Sequence, residues 1–413
     1  MILELIQDPP MLRLLPLVLG AFAIGAETFL VSSVLPQIAA DLHVTAAAAG
    51  SLVTIFALAY AFGSPLIAVA TAGVERKRLL IGAIAAFALA NLVAAVAPNF
   101  SSLAAARALL ALAAGTFMPA AVAFATALFA AERRGRAIAL IYGGMTLATV
   151  VGVPAGAYLA SFAGWRAPFF GVAALAALAA IGVATALPRL ASARAAGFAE
   201  RLAVMRRPDV LQMLTLTALA LIGPFALNTF LGVLVESAFG VGGDRLALVF
   251  AFFGVVSFLG SQFGGYAADR WPRERFLAVV FVVLILAFPL MSIGPRLGGG
   301  AGAALLFAGL ALWGVFGWAF PIVQQARLVT LDPVMAPITL SLNISALYIG
   351  VAIGSSLGAW TIARGSVDAI GVVAGASEIV ALVWLALTRS PKSAAATTQG
   401  RTSADAVSFA PGE

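Results

Sequence analysis

The sequence predicts an all-α membrane protein: twelve transmembrane helices in two pseudo-symmetric six-helix bundles, with both termini on the cytoplasmic side. Three observations carry this. Hydrophobic residues make up 62% of the 413-residue chain and charged residues only 10%, where a soluble domain carries about 25% charged residues. Apolar stretches of about 20 residues, long enough to cross a bilayer, recur along the whole chain. Short residue patterns in the first half return, in the same order, in the second.

Read with Pro, Gly and charged residues as punctuation, the first half offers spans at 14–36, 46–71, 79–97, 102–129, 137–161 and 166–187. The second half offers 210–235, 246–267, 276–294, 302–325, 335–362 and 367–388. The connections alternate in charge. Nineteen of the 24 basic residues fall on one side, among them Arg76, Lys77 and Arg78, then Arg133, Arg134 and Arg136, then Arg270, Arg273 and Arg275. The other side holds only Arg166, Arg245, Arg296 and Arg364. Basic residues concentrate in cytoplasmic loops, so the chain is expected to begin and end inside. The expected units are an N-terminal bundle over 1–188, a cytoplasmic linker over 189–208, a C-terminal bundle over 209–389 and a disordered cytoplasmic tail over 390–413. The tail is rich in Ala, Ser, Thr and Gly and lacks the periodicity and apolar bulk needed to order itself.

The halves repeat. Glu27-Thr28-Phe29-Leu30 matches Asn228-Thr229-Phe230-Leu231. Gly63-Ser64 matches Gly260-Ser261, and Gly115-x-x-x-Pro119 matches Gly317-x-x-x-Pro321. Tyr142, Gly144 and Gly152 match Tyr348, Gly350 and Gly358. Parallel repeats of this kind place a binding site near the midplane, between the repeats.

Composition also excludes. The chain has no cysteine, which removes disulfides and thiolate metal sites. His43 is the sole histidine, so a His-based metal cluster cannot be built, and a Ser-His triad is not expected. With no nucleophile–base set, an enzyme is not expected, nor is a cofactor. The net charge of +7 follows from loop topology, so nucleic acid is not an expected partner. No cleavable signal peptide is expected, and the chain is read as a monomer whose partners are the bilayer, protons and a small-molecule substrate.

Glu27 is a carboxylate deep within the first span. Such an acid costs about 2.5–3.5 kcal/mol at a helix centre on the insertion scale, and intramembrane acids mark ion pathways and proton relays. Its counterpart Asn228 can bond a substrate but cannot carry a proton, which assigns proton handling to the first half. Arg107 is the one basic residue well inside a span. Counted at about 1.5 Å per residue, Arg107 lies roughly 8 Å and Glu27 roughly 14 Å from the outer ends of their spans. A Glu27–Arg107 pair is geometrically open, as is an Arg107 that snorkels to the interface. The expected substrate contacts are Asn228, Phe225, Phe230, Trp313, Trp318, Gln324, Asn343 and Tyr348, with Asn91 and Gln325 as further polar lining; facing lipid or neighbouring helices is the plain alternative for the aromatics. Glu236, Glu378 and Asp244 are acids expected nearer a surface, and His43 is expected in solvent. The glycines of spans five and eleven suit either tight packing or a moving seam.

Gly265-Tyr266-Ala267-Ala268-Asp269-Arg270 resembles the loop signature of the major facilitator superfamily, Gly-x-x-x-Asp-Arg. The first-half loop, with Ala68, Ala72 and Gly73 at those places, keeps it only in degraded form. Gly152-x-Pro154-x-Gly156 resembles the antiporter motif of span five, with Val153 inserted between a glycine and proline that are usually adjacent. Gly164-Trp165-Arg166 and Glu27 before Leu35-Pro36 are similar to the twelve-span drug:proton antiporters, and the degraded first loop, Gln324-Gln325-x-Arg327 and Ser341-Leu342-Asn343 look most like their arabinose-exporter and chloramphenicol-resistance branch. The resemblance covers about residues 12–388. It implies a proton-coupled efflux antiporter of a bacterial inner membrane, exporting a small amphipathic compound or sugar by alternating access. It also implies a gate in which Asp269, next to Gly265 and Arg270, faces Arg133, Arg134 and Arg136, with Gly152, Pro154 and Gly156 shaping the opposing helix. Two rivals stand beside it: a proton-coupled importer with the same fold, and a non-transporting receptor or scaffold.

Overall fold

The computed structural model describes residues 9–190, 197–365 and 367–388. Twelve of its helices are long and apolar enough to cross a membrane. In the first half they are α1 (Met11–Asp41), α2 (Ala46–Ala70), α3 (Arg76–Ala95), α4 (Phe100–Leu128), α5 (Arg133–Ala163) and α6 (Ala167–Ala186). In the second they are α7 (Pro208–Phe239), α8 (Gly243–Arg270), α9 (Arg273–Leu297), α10 (Gly299–Leu331), α11 (Ala336–Ala363) and α12 (Val367–Leu387). The chain is a multi-pass membrane protein, and each helix overlaps one expected span. Most run further than the apolar core, because polar and charged end residues continue the helix beyond it. Side chains close several ends: Thr45 accepts the Ala48 N–H at 3.1 Å, and Asn99 accepts the Ser102 N–H at 2.9 Å.

Helices α1–α6 form one bundle and α7–α12 the other, and the two are built alike. α3 packs on α4 and α6 as α9 packs on α10 and α12; α1 packs on α5 and α6 as α7 packs on α11 and α12. The glycines explain part of this. A Cβ at Gly144 would sit 2.6 Å from the Val18 carbonyl, and one at Gly152 2.9 Å from Ala26. In the second bundle, Gly350 stands in the same way against Ala218, Gly354 against Ile222 and Gly358 against Ala226. The stripe of α11 therefore seats α7 within its own bundle. In this packing Ala26 and Ala226 are counterparts, one residue out of step with the Glu27–Asn228 match.

Three irregularities bend the helices. α5 widens into a π-turn over Ala148–Gly152, just before Pro154, and α10 does so over Trp313–Gly317, before Pro321. α7 breaks at Leu221 between Pro208–Ala220 and Ile222–Phe239, and Pro224 follows the break. Proline lacks the N–H that the preceding turn needs, so the ladder shifts or opens there.

The linker holds a short helix not foreseen from sequence, Phe198–Met205. Its Val204 packs with Val210, Leu214, Leu342 and Ala346, and Arg201 donates to the Ser341 hydroxyl at 2.9 Å. Eight residues are too few for a periodic signal. The linker's 191–196 and the expected tail, 390–413, lie outside the described residues.

Candidate functional site

Glu27 of α1 and Arg107 of α4 meet inside the first bundle. Both side chains are fully buried, and Arg107 Nη1 donates to Glu27 Oε1. Arg107 also donates through Nε to the Leu52 carbonyl at 3.4 Å, and its guanidinium lies 4.4 Å over the Phe56 ring. A desolvated cation on an aromatic face gains about 2 kcal/mol. The arginine is thus fixed from three sides and does not snorkel. Glu27 Oε2 and Arg107 Nη2 remain without partners among the described residues.

The second bundle reaches this pair through Tyr348 of α11. Its hydroxyl lies beside Thr28, within reach of the Arg107 charge, and its ring stacks on Tyr60 with centroids 3.9 Å apart. Nearby, Phe29 of α1 faces Phe225 of α7 at 6.2 Å and Trp318 of α10 at 5.7 Å. These three rings are half-buried. The expected contacts Phe225, Trp318 and Tyr348 therefore gather around Phe29 and Thr28, at the junction of the bundles.

The remaining expected contacts lie elsewhere. Trp313 is buried in the second bundle against Phe253 and Phe288, at 4.3 and 5.7 Å. Gln324 donates to the Met213 carbonyl at 2.8 Å and to the Thr217 hydroxyl at 3.1 Å; Thr217 donates to Asn343 at 2.7 Å. Arg327 joins Gln324 to Glu274. Gln324 and Asn343 are thus spent on holding α7, α10 and α11 together. Phe230 is fully buried between the bundles, in the space over Gly50 and Gly358. Asn91 is buried in α3 and donates to the Phe87 carbonyl at 2.9 Å. Glu378, expected near a surface, is fully buried in mid-α12.

Contacts between the bundles show which end is shut. Ser32 donates to Asn228 at 3.2 Å, Ser355 donates to the Gly50 carbonyl at 3.0 Å, and Thr54 and Ser356 share a hydrogen bond at 3.3 Å. All three lie toward the arginine-poor face. Deeper, Gly254 of α8 fits against the π-turn of α5, where a Cβ would meet the Thr149 carbonyl at 2.4 Å. Toward the arginine-rich face, the expected gate is not formed. Asp269 is exposed and, among the described residues, makes no ion pair; Arg134 donates to the Phe129 carbonyl at 3.3 Å. Arg270 lies over Tyr266 at 4.7 Å, and Gly265 borders open space. Among the described residues, Asp269 and Arg270 therefore make no ion pair with α5 in this conformation, whose inter-bundle hydrogen bonds lie at the opposite end.

The family model of the Major Facilitator Superfamily matches residues 17–333. A chloramphenicol resistance protein of Streptomyces lividans is 38% identical over 285 residues, covering 67% of this chain and 72% of that protein. An uncharacterized MFS-type transporter of Bacillus subtilis, YbcL, is 30% identical over 89% of this chain and 93% of its own length. The inner membrane transport protein YdhP of Escherichia coli K12 is 29% identical over 92% and 97%. In fold, the chain is similar to a point mutant of the nucleoside transporter NupG, with a TM-score of 0.71 at 14% identity, over 92% of this chain and all of that one.

Proposed function

The chain belongs to the major facilitator superfamily, a class of transporters and not of enzymes, and within it we propose a proton-driven exporter of a small amphipathic compound or sugar. The observation that carries this reading is the buried Glu27–Arg107 pair with Tyr348 of the opposite bundle beside it. A proton arriving on Glu27 removes its charge, which weakens its hold on Arg107 and alters what Thr28 and Tyr348 meet at the bundle junction. A titrating group is thereby tied to the relative position of the bundles, which is what coupling by alternating access needs. Phe29, Phe225 and Trp318 offer half-buried aromatic faces for an apolar ring or the apolar face of a sugar. The name of the Streptomyces relative favours a drug-like compound.

With the arginine-rich face in the cytoplasm of a bacterial inner membrane, by the positive-inside rule, the present seal faces outward. The chain would work as a monomer, releasing substrate outside once that seal opens and the Asp269 side closes. Chloramphenicol accumulation in vesicles under an acid-inside gradient, which exchange against protons requires, tests the direction. The opposite polarity would make the chain an importer.

A further inference from the structure

Besides Glu27, one other acid is fully buried among the described residues: Glu378. Neither of its carboxyl oxygens has a hydrogen-bond partner there. It stands near the middle of α12, where α7, α9 and α11 pack around that helix. The charged groups of these elements lie at their ends: Asp209 and Glu236 in α7, Arg273, Glu274, Arg275 and Arg296 in α9, Arg364 just past the end of α11 and Asp368 in α12. Tyr348, the titratable group within α11, is turned to Tyr60 of the other bundle. Among the described residues, no charge faces Glu378.

What faces it is Gly223, two residues past the break in α7. A Cβ there would come within 2.6 Å of the Ala374 carbonyl, 2.7 Å of Ser377 Oγ and 2.7 Å of Glu378 Oε1. Three oxygens thus converge where α7 has no side chain. Ser377 already donates to the Ala374 carbonyl at 2.7 Å. The surroundings present lone pairs and no cation, so they can take a hydrogen from a carboxyl but give none to it. Next to this point Pro224 has no N–H, and the Ala220 carbonyl has no helical donor.

We infer that Glu378 is a second proton-carrying site, seated in the C-terminal bundle at the break of α7, which binds a proton from water in one conformation and returns it to water in the other. The link to the cycle is α7 itself. Five residues beyond Gly223, about 8 Å along the axis, Asn228 of the same helix makes the bond to Ser32 that helps close the arginine-poor face. Parting the bundles there moves the helix that covers the carboxyl. The inference rests on the transporter reading but not on Glu27 as carrier, since the two acids lie in different bundles.

Infrared difference spectra of the purified full chain, titrated by pH alone, read the carbonyl stretch of protonated buried carboxyls. In Glu27→Gln a titrating band is expected to persist, and Glu27→Gln/Glu378→Gln is expected to lose it. A band in Glu27→Gln that is constant at every pH, or that survives Glu378→Gln, overturns the proposal. If Glu378→Gln alone abolishes a titration that Glu27→Gln leaves whole, this site stands and the coupling role of Glu27 falls. Should the Glu378 variants not fold, Glu27→Gln decides: no titrating buried carboxyl in it means no second site.

Discussion

Arg107 of α4 is held to Glu27 of α1 inside a single bundle, with neither side chain open to water and one atom of each left without a partner among the described residues. The arrangement is balanced as a pair and unbalanced as soon as either charge is removed. Breaking a buried ion pair from one side costs about 3–5 kcal/mol, whereas removing both charges costs much less.

Stability should follow from that imbalance. Arg107→Gln is expected to lower the thermal unfolding midpoint of the detergent-solubilised chain, and Glu27→Gln to lower it less, because glutamine still offers Arg107 an acceptor. The double variant should recover most of the loss. Thermal melts of the three variants check this; additive losses would mean that the two residues do not interact.

The gate makes a prediction of a different kind. Asp269 makes no ion pair among the described residues in this conformation, so Asp269→Asn should leave its stability within about 0.5 kcal/mol. If Asp269 serves the opposite conformation, the same variant should slow turnover and enrich the present one, while ligand affinity stays nearly constant. The chain has no native cysteine, so pairs of introduced cysteines can report the distance between α5 and α8 on the arginine-rich side. Unchanged turnover with unchanged distances would remove Asp269 from the gate.

Two glycines separate packing from gating. A Cβ on Gly350 would lie 2.2 Å from the Ala218 carbonyl, whereas Gly265 borders open space. Gly350→Ala should therefore destabilise the chain by about 1–3 kcal/mol, the usual cost of overpacking. Gly265→Ala should fold normally, and any fall in its transport must arise in another conformation. Melting curves beside transport rates distinguish the two; a destabilised Gly265→Ala would contradict the packing described.

Among the described residues, the inter-bundle hydrogen bonds at the arginine-poor face join hydroxyls, the Asn228 amide and backbone, without charged groups. A neutral hydrogen bond contributes about 0.5–1.5 kcal/mol. Ser355→Ala removes the bond to the Gly50 carbonyl, and should shift the population toward the opposite conformation by up to about tenfold. Distances between labels placed on α2 and α11 near that face would show it, and an unaltered distribution would mean that the bond does not hold the seal.

The spans and the repeat were legible because a bilayer imposes apolar runs of fixed length and because glycine spacing reports helix contacts directly. Glu27 and Arg107 stood out as charges deep within spans, where few are tolerated. The roles of other polar residues were not legible, since those depend on helix rotation: Gln324 and Asn343 turn to Thr217 and are consumed there. Trp313 and Trp318, five residues apart, point to different surroundings because a π-turn lies between them. Glu378 was misplaced by counting residues to the end of its span, a measure of depth that says nothing of what packs beside the side chain. The open state of the Asp269 gate belongs to the conformation, which one sequence shares among all its states.

The most direct test of the central claim is proton-driven transport by Glu27→Gln reconstituted in vesicles with an imposed proton gradient, measured beside substrate exchange at equilibrium. Glutamine keeps the volume and an acceptor for Arg107 but cannot titrate. The account predicts that the folded variant still binds and exchanges substrate yet builds no substrate gradient. Undiminished gradient-driven accumulation by Glu27→Gln would contradict it.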